Sequence, residues 1–278
     1  MKIVKLEIEN FRRQVWKYYG THGRGNLPWR QTHDPYRILV SEVMLQQTQV
    51  PRVIGKYKEF LKKFPTIRAL AKAPLSDVLR AWSGLGYNRR AKYLHDAAKQ
   101  LMLSSRGRVF IASDELLKLP GIGPYTAAAV RVFAFNKPDV LIETNIRAAL
   151  IHHFFRGILK VRDSVVLAWA QEAADGQDPR KWHWALMDYG AYLKRSGVRN
   201  NHRSAHYTKQ SKFEGSLRQM RGQILRDLMN GRKGRKGEKW EKALAGLARD
   251  GLIVKVSPRL IGPGPKKGKP ARPGWRIA

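Results

Sequence analysis

The chain has 278 residues, enough for one large or two modest domains, and 43% of them are hydrophobic, including eight Trp and nine Phe. Its 54 Lys and Arg against 21 Asp and Glu give a formal charge of +33; that self-repulsion points to a polyanionic partner, most commonly nucleic acid, although a basic membrane-surface protein would also fit. The absence of cysteine excludes disulfides, thiolate catalysis, zinc–thiolate sites and cysteine-ligated iron–sulfur clusters, and no apolar run is long enough to span a membrane.

The opening MKIVKLEIEN has no apolar signal region, so the expectation is a soluble protein of the cytoplasm, associated with the nucleoid. Up to residue 210 the chain reads as helices joined by short turns, with no strand and no internal repeat. Pro35–Phe64 carries Ile38, Leu39, Val43 and Met44, then Val50, Val53, Ile54, Tyr57 and Phe60 at helical spacing, with Pro51 at a helix start. Short helices follow over Ile67–Lys72 and from Pro74 to Trp82. Gly84-Leu85-Gly86-Tyr87 makes a tight loop before a helix over Arg89–Leu103. Ser113–Leu119 is a helix stopped by Pro120; Tyr125–Phe135, Ile146–Phe155, Asp163–Ala174 and Pro179–Leu193 are further helices.

Composition shifts after residue 194. Lys194–Gln210 is polar and basic, a linker or a loop wrapped on the core. Beyond it, helices over Leu217–Met229 and Trp240–Arg249 flank the basic loop Gly231–Gly237. Gly251 ends the second helix; Leu252–Val256 and Trp275–Ile277 read as two strands of a wing with a Pro/Gly/Lys tip over Pro258–Pro273. The pattern is that of a winged helix, with a disordered basic tail as the alternative. The expected division is a core over 1–210 and a basic DNA-binding domain over 211–278.

Leu119-Pro120-Gly121-Ile122-Gly123 lies between two helices. Glycines there leave backbone N–H groups uncovered, and the next helix directs its N-terminus outward, a combination suited to phosphate; a simple turn is the alternative. With its neighbours the hairpin gains weight. LPWR (27–30), SEVMLQQTQV (41–50), GLGY (84–87), LPGIGPYTAAA (119–129), the ETN of LIETNIR (141–147) and MDYGAYL (187–193) resemble the helix-hairpin-helix DNA glycosylases, and within them the MutY adenine glycosylases, over about 190 of the 278 residues. The resemblance implies an all-α core of two helical subdomains flanking a cleft, followed here by the small winged-helix-like α+β domain.

Hydrolysing an N-glycosidic bond requires a proton for the leaving base and negative charge beside the developing sugar cation. By resemblance Glu42 aligns with the acid that protonates the flipped adenine; taken alone it could be an exposed glutamate on an amphipathic helix. Glu143, followed by Asn145, stands where the family places an aspartate that stabilises the sugar cation; the extra methylene is a departure, and helix capping is the alternative role. Tyr125 occupies the position of the Schiff-base lysine of bifunctional relatives, which implies a monofunctional enzyme. The resemblance places Gln47 and Tyr87, with Leu85 nearby, against DNA near the opposite base, with a core aromatic as the lesser alternative for Tyr87. Gly121, Gly123, Thr126 and Arg89 complete the expected DNA contacts, and Trp29 reads as structural or pocket-lining.

Where most relatives carry four cluster-binding cysteines, the spacing here reaches Lys194, Asn201, Ser204 and Gln210, none of them a thiolate. The expectation is therefore no iron–sulfur cluster and no metal ligands, with room for a monovalent ion on the carbonyls of the hairpin. The tail is also too short for the Nudix-like domain that usually reads 8-oxoguanine. The expected partner is double-stranded DNA with a mismatch or oxidative damage, bound by a monomer without a membrane. Adenine opposite 8-oxoguanine or guanine is the first substrate; thymine or uracil opposite guanine, and damage binding without catalysis, are the alternatives.

Overall fold

A computed structural model describes residues 2–209, 211–232, 237–256 and 274–278. In chain order the helices are α1 (Lys2–His22), α2 (Pro35–Leu45), α3 (Val50–Lys63), α4 (Ile67–Lys72), α5 (Leu75–Trp82), α6 (Arg89–Ser105) and α7 (Ser113–Leu117). They continue as α8 (Pro124–Phe135), α9 (Thr144–Phe154), α10 (Asp163–Ala174), α11 (Pro179–Arg195), α12 (Leu217–Met229) and α13 (Glu238–Arg249). Strands β1 (Ile253–Val256) and β2 (Gly274–Ile277) pair antiparallel, with Ile253 opposite Ile277 and Val256 opposite Gly274. The two strands thus stand within a residue of the segments read as strands from the sequence. Most of the expected basic loop, and the tip over Pro258–Pro273, lie outside the described residues.

Local chemistry starts and stops these helices. Asp34 caps α2 by accepting from the Tyr36 and Arg37 amides, with Pro35 in the first turn. Thr66 caps α4, Asp178 caps α11 and Ser216 caps α12 in the same way. At the far end of α8, Asn136 takes the left-handed conformation. Helix α1 is the element the sequence pattern did not flag. Its Ile8, Phe11 and Val15 recur at helical spacing and are buried, and the Phe11 ring meets Phe154, Trp182 and Tyr189. Fully burying a side chain of this size is worth about 1.5–3 kcal/mol.

The chain divides into two compact units. One comprises Met1–Gln46 and Val109–Lys209, the other Gln47–Arg108 and Gln210–Ala278. In the first, α2 packs on α8, α9 on α11, and α1 on α10 and α11. The segment after α11, where a cluster would sit in relatives, is held by backbone bonds: Val161 N–H donates to Arg203 O at 2.9 Å and Ala205 N–H to Val161 O at 2.9 Å. Ser204 is buried there and Arg203 Nε donates to Ile158 O, while Gln210 lies outside the described residues.

In the second unit α4 packs on α6, α3 on α5, and α12 on α13 and β2. The C-terminal residues join 47–108 through polar contacts. Arg80 donates to the carbonyl of Met229 at 2.9 Å, and Asp250 is paired with both Arg89 and Arg221.

Candidate active site

In the first unit, the apolar face of α2 carries Glu42 inward. Its neighbours Ser41, Val43 and Met44 are all buried, and Glu42 itself is 6% exposed. An unmet carboxylate there would lose its hydration, so burial pushes Glu42 up to about 7. The Tyr125 hydroxyl donates to it and pulls the other way; the nearby charge of Glu143 pushes up again, and Arg30 pulls down. Tyr125 stands in the first turn of α8, directly after the hairpin, and its own ionisation is pushed well above the usual range by burial and by both carboxyls.

Glu143 reaches the same place from the start of α9. It is the N-cap: Oε1 accepts from the amides of Asn145 at 2.8 Å and Ile146 at 2.9 Å, and Oε2 from the Asn145 side-chain amide at 3.2 Å. Burial raises its pKa, while these three donors and the Arg147 charge act downwards. The two carboxyls are therefore unequal. Backbone donors favour the charged form of Glu143, whereas Glu42 has a phenol and apolar neighbours. Glu42, Tyr125, Glu143 and Asn145, separated by up to about a hundred residues, meet in one unit.

Three features fix this arrangement. Gly190 of α11 faces the start of α9, and a Cβ built on it would overlap the Asn145 carbonyl and lie 2.9 Å from the Asn145 Cβ. Buried His183 accepts from the Leu141 amide at 3.0 Å through Nε2 and donates from Nδ1 to Pro179 O, which anchors the chain entering Glu143. Asp188 of α11 takes a bidentate pair from buried Arg30, at 2.8 and 3.0 Å, and further bonds from Arg24. No motif singled out Arg30, Asp188 or Gly190 as site residues, although LPWR and MDYGAYL contain them. Trp29, beside Arg30, is buried.

The hairpin is closed by Ile122 N–H donating to Leu119 O at 3.2 Å, with both side chains buried. Gly121 takes φ +74°, as its type allows. Gly123 is extended, at φ −95° and ψ 178°, so a left-handed turn is not its reason for being glycine; a Cβ there would meet no protein atom within 4 Å. Thr126 is buried and accepts from the Gln46 amide at 3.1 Å.

The remaining expected contacts lie in the second unit. Gln47 is exposed and Tyr87 half-buried, both at positive φ (+53° and +47°). The Leu85 side chain is buried, 3% exposed, while its N–H donates to Trp82 O at 3.1 Å and its carbonyl accepts from Arg90 at 3.2 Å. Arg90, unremarked in the sequence, also donates to Gly86 O and Thr48 Oγ1 and lies over the Trp82 and Tyr87 rings, and so holds the GLGY loop. Arg89 is exposed and paired with Asp250 at 3.2 Å.

Comparison with known proteins decides the family. Residues 40–174 match the model of the HhH-GPD superfamily of base excision DNA repair proteins. The thymine-DNA glycosylase of Aeropyrum pernix is 31% identical over 182 residues, which are 65% of this chain and 76% of that protein. The chain belongs to the HhH-GPD superfamily of base excision DNA repair proteins. This HhH-GPD chain is also similar to the adenine DNA glycosylase of Buchnera aphidicola subsp. Baizongia pistaciae, 36% identical over 184 residues, or 66% of this chain and 52% of the other. It thus spans about half the length of that adenine glycosylase. Among solved structures it resembles that of a thermostable thymine-DNA glycosylase, with a TM-score of 0.61 and 28% identity over 67% of this chain and 87% of the other.

The mostly helical HhH-GPD fold with a small C-terminal sheet agrees with the sequence expectation. Lys194, Asn201 and Ser204 offer no thiolate to an iron–sulfur cluster, and among the described residues no three His, Asp or Glu side chains stand together as metal ligands. Among them, too, no helix is long and apolar enough to cross a membrane.

Proposed function

We propose that this chain is a monofunctional DNA glycosylase that removes a mispaired adenine, opposite 8-oxoguanine or guanine, by hydrolysing its N-glycosidic bond. The observation that carries the reading is Glu42, a buried acid that keeps a proton near neutral pH, within electrostatic reach of a second carboxyl held by N–H donors. An adenine anion is a poor leaving group, so a ring nitrogen must be protonated as the bond breaks. Glu42 gives that proton, the bonding electrons leave with the base, and the Glu143 carboxylate faces the sugar cation. The Glu42 carboxylate then takes a proton from the water that adds to the anomeric carbon. Tyr125 has no amine, so no Schiff base forms and the strand stays intact.

The same fold could expel thymine or uracil opposite guanine, and the likeness to thymine-DNA glycosylases supports that second reading. A pyrimidine, however, presents carbonyl oxygens and no basic ring nitrogen to a neutral carboxylic acid, so Glu42 favours the purine. In this reading Gly121, Gly123, Thr126 and the start of α8 seat a phosphate, Arg89 meets another, and Gln47 and Tyr87 enter the stack beside the gap left by extrusion. Residues 211–278, rich in Lys and Arg, add to the grip on double-stranded DNA, and the protein acts as a monomer.

The test is to incubate the protein with duplexes carrying A:8-oxoG, A:G, T:G or U:G and then treat them with alkali. Breaks at adenine are expected. Breaks only at thymine or uracil would overturn the choice of base, and binding without any break would overturn the enzyme.

A further inference from the structure

Two sets of contacts hold the GLGY loop of the second unit. Its backbone is fixed from within 47–108: Trp82 Nε1 donates to Gly86 O at 3.2 Å, the Arg90 guanidinium reaches the Leu85 and Gly86 carbonyls, and the Arg90 amide donates to Tyr87 O at 2.9 Å. The Tyr87 side chain is also held from the C-terminal residues. Arg218, in the first turn of α12, donates from Nη1 to the Tyr87 hydroxyl at 2.7 Å, with its guanidinium 5.4 Å from the ring centroid. Arg218 is itself fixed, lying 5.4 Å from the Phe213 ring centroid and donating from Nη2 to Ser211 O at 3.3 Å.

Packing alone would not fix this ring. A cavity of about 440 Å³ opens between the loop and α12, and Tyr87, Phe213 and Arg218 line it, so the ring has room to swing. Tyr87 is also a non-glycine residue at φ +47°, a sparsely populated conformation that persists only where its surroundings hold it. The C-terminal residues are anchored to the same region by Arg80, which donates to Met229 O, and by Asp250, which pairs with Arg89 and Arg221. Helix α13 follows α12, where a helix-turn-helix carries its reading helix, but it opens with the exposed carboxylates Glu238 and Glu241, which a phosphate backbone repels. The C-terminal module is thus fastened to the loop through α12, while its second helix is ill suited to reading DNA.

We propose that Arg218 is a positioning residue that presets the Tyr87 ring for entry into the DNA stack, so that the C-terminal module braces the loop. The proposal rests on reading the chain as a DNA glycosylase in which Tyr87 helps fill the gap left by an extruded base. A ring already in place loses less conformational freedom when the base leaves, so extrusion is easier. Arg218 acts through Tyr87 and not on the reacting atoms, since the catalytic carboxyls belong to the other unit. It also lies outside residues 40–174, the stretch matched to the family.

The test follows extrusion rather than turnover. The full chain is mixed in stopped flow with a duplex carrying 2-aminopurine opposite guanine, whose emission rises as it unstacks. Arg218→Ala should slow the rise about tenfold, the scale of one hydrogen bond from a charged donor. Tyr87→Phe, which removes only the hydroxyl, should slow it by a smaller factor, and the double variant should be no slower than Arg218→Ala alone, because both changes break one contact. Lys242→Ala, on the exposed face of α13, should leave the rise unchanged. If Arg218→Ala melts early, Tyr87→Phe decides the matter, since it keeps the ring and α12 in place. An arginine that merely grips a phosphate would instead lower the salt slope of binding to undamaged duplex by about one. That result, additive slowing in the double variant, or a rise that neither substitution alters would overturn the brace. A wild type that extrudes in an Arg218-dependent way but excises no base would refute only the reading as a glycosylase.

Discussion

Gly190 in α11 and Asn145 in α9 touch so closely that a single added carbon would collide with the Asn145 backbone. The contact sets the height of α9 against α11, and α9 begins with the Glu143 cap. Gly190→Ala should therefore lower stability by about 1–3 kcal/mol through overpacking. Displacing Glu143 and Asn145 should cut the excision rate on the order of 100-fold. Thermal melting and single-turnover excision read the two effects, and an unchanged rate would dissociate the helix contact from the chemistry.

The raised pKa of Glu42 has a definite sign in both stability and rate. In the unfolded chain the group titrates near 4.5, in the fold at about 7. Below the first value it is neutral in both states and costs nothing; between the two values the unfolded chain ionises while the fold keeps the proton, so stability falls, and it levels off above the second, where the fold holds a buried charge. The loss approaches about 3 kcal/mol by pH 8, so Glu42→Gln should raise the melting temperature at pH 8 and leave it nearly unchanged at pH 4. Excision by wild type should decline above pH 7 as the acid loses its proton. Tyr125→Phe removes the hydroxyl that favours the carboxylate, and should move this decline to higher pH.

Glu143 carries two duties that one substitution can separate. Gln at 143 still accepts from the start of α9 but lacks the charge. Because burial leaves the Glu143 carboxyl raised overall, its charge adds no net stability at neutral pH, and Glu143→Gln should leave the melting temperature unchanged or slightly higher. The excision rate should fall on the order of 100- to 1000-fold, as when an electrostatic stabiliser is removed from a transition state. Glu143→Ala should add the loss of the cap, about 1 kcal/mol more, measured by urea denaturation.

The Asp188–Arg30 pair is buried on both sides, with side chains 1% and 3% exposed. Burial raises the Asp188 carboxyl, but the bonds and charges of Arg30 and Arg24 together hold it below its usual 3.8. Its stabilising contribution is thus present above that value and lost as the pH drops through the lower folded one. Asp188→Asn strands a buried guanidinium and should cost about 3–5 kcal/mol. The loss should persist at neutral pH and narrow in acid, where wild type protonates Asp188 as well.

Local pattern and backbone chemistry were enough to read most of the helices, the turn at Gly121 and both wing strands, because periodicity, caps and positive-φ glycines act over a few residues. The spacing of Ile8, Phe11 and Val15 would have revealed α1 by the same rule. The motif strings also contained Glu42, Tyr125, Glu143 and Asn145, and composition alone removed thiolate chemistry. Which of these groups holds a proton was beyond local reading, since it depends on burial and on charges contributed from distant segments. Nor could spacing show that Leu85 turns into the core while its carbonyl serves Arg90, or that Gly190 is glycine because of Asn145. The joining of 47–108 with the C-terminal residues, and the cavity that Tyr87 shares with Phe213 and Arg218, likewise belong to tertiary structure, because each is made by groups more than a hundred residues apart that only the packed chain brings together.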